Sequence, residues 1–385
     1  MVRRFLIALA PALVLVVALG VGGAQRLPND FLEPLGQLYQ YIQNYFYWPE
    51  QIDEQVLLEG AMEGMVQQLD DPYSEFFNPA RYVQFQESLE GEFSGVGIEI
   101  TVIADVVTVI APLAGTPAEA AGVRAGDQIL AIDGESTDGF TLSEAAMRIR
   151  GETGTAVVLT VRHEDGVEEE IPIVRAKITV SAVESDTIGE GRIAYVRLSR
   201  FEADVAGKLD RALASFDLET MDGMILDLRN NPGGYTLAAI QVASRFVDEG
   251  VIYSSRGRFS KEQRHWSTSN VIPNLPLAVL INGGSASASE IVAGAIRDHR
   301  MGVLVGEQTF GKGVMQNLLE FADGSALKLT IAEFFSPNGN PVHEVGVAPD
   351  IAVDEDEDPI DVAIAWIDGH VGERMPLEST VGQDE

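Results

Sequence analysis

The 385-residue chain contains no cysteine and only five histidines. The missing cysteine excludes a disulfide framework, a thiol nucleophile, a lipidated lipobox and any Cys-based metal site. It is compatible with an oxidising compartment without identifying one. Cations are also scarce, with 26 Lys and Arg against 59 Asp and Glu and a formal charge of −33. Nucleic acid, which needs a clustered basic face, is therefore not an expected partner. The acidic excess reads as solubility and mutual repulsion. Long apolar runs are missing too, except for the uncharged stretch Phe5 to Ala24 behind Arg3 and Arg4. At about 1.5 Å per residue, a helix over residues 5–24 would just cross a hydrocarbon layer about 30 Å thick. The arginines would stay cytoplasmic and the remainder would be exported. Gly22-Gly23-Ala24 also suits signal-peptide cleavage, so a retained membrane anchor and a cleaved signal both fit. The expected location is the cell envelope, on the exported side of the cytoplasmic membrane, anchored or secreted.

What is present is ordinary for a globular protein, with 46% hydrophobic and 22% charged residues and 16 Phe. Residues 28–88 read as helical. Leu35, Leu38, Ile42, Tyr45 and Phe46 form one stripe at helical spacing, and Val56, Leu57, Ala61, Met65, Val66 and Leu69 form another. Asp71-Pro72-Tyr73-Ser74 interrupts them as a turn. These helices are expected to pack into the core, or to pair two copies of the chain as a homodimer. Residues 371–385 read as a tail, and the acidic run Asp354 to Asp358 as a solvated segment.

From about Gly91 the period becomes that of strands, with Val106 to Ile110, Ile129 to Ile132 and Ala156 to Val161 the clearest. Pro117 to Val123 reads as a short helix stopped by glycine, and Leu142 to Ile149 as a longer one. This order, and the run Ala121-Gly122-Val123-Arg124-Ala125-Gly126-Asp127 above all, resembles a PDZ domain of the bacterial, permuted kind over residues 89–175. The resemblance implies a peptide-binding module. Gly95, Val96, Gly97 and Ile98 would hold a terminal carboxylate on backbone N–H groups, and the peptide would add as a strand. Without the resemblance, Gly95 and Gly97 read as a turn before a strand.

Residues 176–370 read as a separate α/β block. Apolar strands at Ile193 to Leu198, Met224 to Leu228 and Leu277 to Ile281 alternate with helices at Val205 to Phe216 and Leu237 to Phe246. Such alternation predicts a largely parallel sheet, whose sites gather at the loops beyond the strands' carboxyl ends. Two glycine-rich stretches follow such strands, Asn230-Asn231-Pro232-Gly233-Gly234 and Asn282-Gly283-Gly284-Ser285-Ala286-Ser287.

Ser287 through Glu290 matches a helix capping box, and capping alone would account for it. The small residues around Ser287, however, leave room for another backbone, and a helix N-terminus favours a developing oxyanion. Ser287 is therefore a candidate nucleophile, with Ser285 and Ser289 as weaker rivals. A serine hydroxyl needs a base. None of the five histidines sits in a glycine-rich setting, although His299 follows Asp298 twelve residues after Ser287. Lys312, in Thr309-Phe310-Gly311-Lys312-Gly313, is the stronger candidate. A phosphate loop is excluded there because no hydroxyl residue follows the lysine. To act as a base near pH 7, a lysine that starts near pKa 10.4 must be desolvated.

Taken together, Ser285 to Glu290, the Thr309 to Gly313 loop and Leu228-Arg229-Asn230-Asn231-Pro232-Gly233-Gly234 resemble the carboxy-terminal processing peptidases, a Ser/Lys protease family, across roughly residues 30–355. The resemblance implies a crotonase-like α/β protease core with an inserted, mostly β PDZ domain and an N-terminal helical segment at 28–88, after a signal peptide or anchor at 1–27. It implies Ser287 as nucleophile, Lys312 as base and Gln316 as the residue orienting the lysine, the last by four-residue spacing on a helix or turn. The oxyanion hole would then be the N–H groups of Ala288 and Gly233, and Asp298 would be an acidic neighbour. The expected activity is that of a serine endopeptidase that recognises protein or peptide C-termini and processes or degrades exported proteins, with no cofactor. A catalytically silent PDZ adaptor and another acyl-transfer or small-ligand function on the same core are the alternatives.

Overall fold

The computed structural model describes residues 29–372, apart from 104–105, 114, 164, 274 and 355. The expected anchor at 5–24 and most of the expected tail lie outside the described residues. Among the described residues no helix is long and apolar enough to cross a membrane. The chain divides into two compact units, 1–62 and 63–385.

The first unit carries helix Asn29–Tyr45 and most of helix Glu54–Gln67, joined by the short turn Pro49–Gln51. Tyr39 donates its hydroxyl to Glu54 across the pair at 2.5 Å. Both helices lie within the stretch expected to be helical. No residue of Glu54–Gln67 is buried, and Leu38 and Tyr45 are exposed.

In the second unit, the core sheet runs Val183–Ile188, Ile193–Leu198, Gly223–Asp227, Leu277–Ile281, Val303–Gly306, Ile351–Ala352. All neighbouring pairs after the first are parallel. Strand alternation explains why Gly223–Asp227 and Leu277–Ile281 read as unbroken apolar runs, because both of their faces are covered. Met224, Leu226, Val279 and Ile281 point to the layer of helices Val205–Leu213, Thr236–Ala243 and Ala288–Asp298. Ile225, Ala278 and Leu280 point to helix Pro359–Asp368 on the other face. Three neighbouring parallel strands, Gly223–Asp227, Leu277–Ile281 and Val303–Gly306, thus send their following loops to one edge.

A second sheet is antiparallel throughout its pairs. Strand Ala326–Phe335 pairs with Val314–Glu320, with Val251–Gly257 and with the three-residue strand Glu75–Phe77. Glu75–Phe77 falls within the stretch expected to be helical, which is instead two helices, a turn, this strand and helix Pro79–Leu89. Three residues are too few to leave a periodic signal.

Residues 92–179 hold a five-strand path ordered Ile98–Ile103, Val106–Pro112, Gln128–Ile132, Ala156–Arg162, Glu168–Val174. Helix Leu142–Ile149, capped by Thr141 with Glu144 reaching back to its N–H, covers a core of Val107, Ile129, Leu159 and Ile173. The chain enters and leaves this region through one two-stranded antiparallel ribbon, Glu92–Gly95 with Ala176–Thr179. Inside the region His163 Nδ1 lies 2.7 Å from Asp127 Oδ1, both side chains nearly inaccessible. Asp127 Oδ2 also accepts from the backbone N–H of Arg124. The Asp127 hydrogen bond, assisted by Glu169, holds His163 above its ordinary value, against its burial and the charge of Arg124. A raised folded pKa stabilises below the unfolded value of about 6.5, and that contribution disappears as pH rises through the folded value. The variant His163→Gln should therefore accelerate hydrogen exchange in Gln128–Ile132 and Ala156–Arg162 more at about pH 6 than at about pH 8. Equal acceleration at both pH values would show that the imidazolium contributes nothing.

Candidate active site

Ser287 is the residue before helix Ala288–Asp298 and sits at φ 54°, ψ −110°, a left-handed conformation that a serine rarely adopts. Its environment separates it from its two neighbours. Ser285 and Ser289 are fully buried, and their hydroxyls donate to the carbonyls of Leu228 and Asn231 at 2.8 and 2.9 Å. Those two are structural. Ser287 is partly exposed and lines a cleft of about 1410 Å³.

What holds Ser287 in that conformation is Glu290, the acidic end of the expected capping box. Its carboxylate, 1% exposed, accepts four hydrogen bonds from two segments of the chain. Oε2 takes the N–H of Ser287 at 2.7 Å and that of Lys312 at 2.9 Å. Oε1 takes the Thr309 hydroxyl at 2.6 Å and the N–H of Gly311 at 2.7 Å. Burial pushes the carboxyl's pKa up, and the four donors push it back down without cancelling the rise. One side chain therefore fixes the nucleophile turn to the lysine loop.

The third loop, after strand Gly223–Asp227, is held differently. Buried Asp227 accepts from the N–H of Arg229 at 2.9 Å, from its guanidinium and from the Tyr195 hydroxyl at 2.7 Å. Burial, then that bond, pushes Tyr195 up to about 12. Asn231, fully buried, accepts the Ala286 N–H at 3.0 Å and the Ser289 hydroxyl on its carbonyl, which clamps this loop to the serine turn. Gly233 is required by the same contact. With φ at 103°, a Cβ there would lie 2.8 Å from Ser287 Cβ and 2.9 Å from the Ala288 nitrogen. Its N–H donates to Asn231 Oδ1 at 2.9 Å in this conformation.

Lys312 lines the same cleft, its Nζ 5.2 Å from the centre of the Tyr73 ring. Burial lowers its pKa, the positive charge of Lys328 lowers it further, and Glu290 and Asp71 oppose both. No hydrogen bond joins Lys312 Nζ to Ser287 Oγ among the described residues. Gln316 also lines the cleft, but not through helical spacing. It lies on strand Val314–Glu320, just after a register break between Met315 and Gln316, with Nε2 3.4 Å from Thr330 Oγ1. The structure thus gathers Ser287, Ala288, Gly233, Lys312 and Gln316. His299 is elsewhere, buried with Nε2 2.8 Å from the Val251 carbonyl, and Asp298 accepts from the N–H of Asn338. Tyr73, Asp227 and Lys328 belong to the surroundings but were not among the sequence candidates. Tyr73 lies in the recognised Asp-Pro turn, and nothing local marks a turn as the floor under a lysine more than two hundred residues later.

In the PDZ-like region Gly95 ends the ribbon strand and Val96 is buried. The carbonyls of Val96 and Gly97 accept from the N–H groups of Ala118 and Leu113, both at 2.9 Å. Gly97, at φ 80°, could not carry a Cβ, which would lie 2.4 Å from Thr116. Ile98 opens the first strand of the larger sheet. Met147, Phe93, Arg150 and Gly151 from this region line the same cleft as Ser287.

The variant Glu290→Gln would turn an amide NH₂ toward backbone donors. It should cost roughly 2–4 kcal/mol by unfolding measurements. It should also release the lysine loop, seen as faster hydrogen exchange at Gly311 and Lys312. Unchanged stability and exchange would show that the carboxylate does not hold the loops together.

Comparison with known proteins supplies the family. The profile of peptidase family S41 matches residues 192–353, a PDZ domain profile matches 108–163, and the N-terminal domain of the activating protease CtpB matches 23–80. A carboxy-terminal-processing protease of Bartonella bacilliformis is 40% identical over 311 residues, which is 79% of this chain and 71% of that protein. A carboxyl-terminal-processing protease of Synechocystis sp. is 39% identical over 77% of this chain and 70% of its own length. Among solved structures, a photosystem II D1 C-terminal processing protease superposes with a TM-score of 0.54 at 29% identity, covering 88% of this chain and 91% of that one. These matches extend over both the PDZ-like region and the α/β core, so the chain belongs to the carboxy-terminal-processing proteases, serine peptidases of family S41 that carry a PDZ domain.

Proposed function

We propose that the chain is a serine endopeptidase of the cell envelope that recognises protein C-termini through residues 89–175 and cleaves through a Ser287/Lys312 dyad in a core spanning 176–370. The observation that carries this reading is the shared cleft, where a strained serine at a helix N-terminus meets a lysine whose pKa burial lowers. A substrate's terminal carboxylate would dock on the amide side of Gly95 to Ile98, since the Val96 and Gly97 carbonyls are committed inward. The Ser287 hydroxyl attacks the scissile carbonyl while neutral Lys312 accepts its proton. The N–H groups of Ala288 and Gly233 stabilise the oxyanion. The intermediate then collapses, the leaving amine takes the proton from Lys312, and an acyl-enzyme remains on Ser287. Water, deprotonated by Lys312, hydrolyses it. Gln316 positions the lysine from the adjoining strand.

Two changes from the present conformation are required. Lys312 Nζ must leave the Tyr73 ring for Ser287, and the Gly233 N–H must exchange Asn231 Oδ1 for the oxyanion. Those same two features favour the second reading, a catalytically silent PDZ adaptor. Reaction with a serine-directed fluorophosphonate separates them, because only a competent dyad labels Ser287. The reading includes a homodimer through the N-terminal helices, the first of which exposes Leu38 and Tyr45, and sedimentation as a monomer at micromolar concentration removes that part of it.

Cleavage of an unfolded protein with an apolar C-terminus should fall on the order of 10³-fold or more in Ser287→Ala and in Lys312→Ala. Activity requires the neutral amine. Because the Lys312 pKa lies below its ordinary value, activity should rise with pH through that lowered value and disappear in acid. A folded Ser287→Ala protein that cuts at the wild-type rate ends the proposal.

A further inference from the structure

The cleft that Ser287 lines carries a second lysine, Lys328. Strand register puts Leu318 beside Lys328 and Gln316 beside Thr330, so Gln316, Leu318, Lys328 and Thr330 share one face of the antiparallel sheet. Gln316, Leu318 and Lys328 all line the cleft that holds Ser287 and Lys312. Lys328 is also held in place. Its Nζ ion-pairs with Glu75 at 2.9 Å and lies 5.1 and 5.2 Å from the ring centres of Phe77 and Phe85, which stack on each other. Its side chain keeps only 20% of its accessible surface. A cation held this way by a carboxylate and two rings has few rotamers, and in a partly dehydrated cleft its field is screened less than at the surface.

We infer that Lys328 is a positioning residue for the peptidase reaction, a fixed cation whose charge helps to keep Lys312 neutral and so available as the base. This rests on the proposed role of Lys312. The groups facing Lys312 are the Tyr73 ring from the turn before strand Glu75–Phe77, Asp71 from the same turn, Glu290 from helix Ala288–Asp298 and Lys328 from strand Ala326–Phe335. Glu344 acts on Tyr73 from a further loop. Glu290 and Asp71 are anions that favour the protonated lysine, and each is already engaged by hydrogen bonds, Asp71 with the Ser74 hydroxyl at 2.5 Å. Desolvation alone works against those two carboxylates, and Lys328 is the cation that adds to it. The burial of Lys312 and the charge of Lys328 thus act in the same direction, by different means.

The sign of the test follows. Removing a neighbouring positive charge makes Lys312 easier to protonate, so the acid limb of the kcat/KM profile moves to higher pH. In Lys328→Met, which keeps the aliphatic length against Phe77 and Phe85, kcat/KM at a pH on the acid limb should fall about threefold or more relative to its own alkaline plateau. Lys328→Arg keeps the charge and should restore the wild-type limb. Glu75→Gln, which leaves Lys328 in place and removes its counter-charge, should move the limb the other way, and it serves as the test if Lys328→Met does not fold. A loss of packing alone would lower the whole profile without moving its limb. An unmoved limb in Lys328→Met, or in Glu75→Gln where the Met variant is unfolded, overturns the inference. The same profiles keep the two readings apart. If Lys312→Ala is inactive and the limb stays put, only the role of Lys328 fails, whereas an active Lys312→Ala removes the dyad itself.

Discussion

The interaction on which the rest of the site depends is the buried Glu290 carboxylate. Its two oxygens serve donors from the serine turn and from the loop around Lys312, segments separated by more than twenty residues and by a strand of the core sheet. A carboxylate so deeply buried is unfavourable by itself and is tolerated because four donors surround it. The arrangement also accounts for the serine's backbone. Ser287 holds a left-handed conformation that its own chemistry disfavours, and the hydrogen bond to its N–H offsets part of that strain. Capping and chemistry are therefore one device here, since the residue that caps the start of the helix also holds the backbone that carries the hydroxyl.

The parallel sheet provides the common edge, and each loop is pinned by a different polar residue. Asp227 shapes the start of the glycine loop, Asn231 joins it to the serine turn, and Glu290 joins that turn to the lysine loop. Glycine is needed where backbones cross at contact distance, at Gly233 against Ser287 and at Gly313, where a Cβ would lie 2.0 Å from the His343 nitrogen. The PDZ-like region adds to this edge from outside. Because it enters and leaves by a single ribbon, it can contribute Phe93 and Arg150 to the cleft while its own core stays separate from that of the sheet.

Much of this was legible in the sequence because the relevant signals are local. The apolar strands Ile193–Leu198 and Leu277–Ile281 and the helix Leu142–Ile149 occupy the residues that their periodicity marks. Ser287, Lys312 and the Gly233 turn follow strands of the parallel sheet, as loops of that kind should. What could not be read is non-local. The four-residue spacing of Lys312 and Gln316 suggested a helical turn, yet Lys312 lies in the loop just before an antiparallel strand and Gln316 lies on it, and that strand's identity depends on a partner beginning at Ala326. The stripe at Leu38 and Tyr45 has helical spacing, but periodicity does not say what, if anything, covers a face. The roles of Tyr73 and Lys328 arise only from pairing between distant strands.

That pairing has a consequence for how the chain matures. Strand Glu75–Phe77 meets Ala326–Lys328, and Lys328 reaches Glu75 across 253 positions of sequence. Contacts of such separation close late, after most of the loop-closure entropy has been lost. Until strand Ala326–Phe335 has docked, the turn that carries Tyr73 lacks the pairing that sets it beside Lys312. A nascent or truncated chain ending before Ala326 lacks the lysine's surroundings even though Ser287, Glu290 and Lys312 are already present. The surroundings of Lys312 thus depend on two short segments that lie far apart in sequence and meet only in the folded chain.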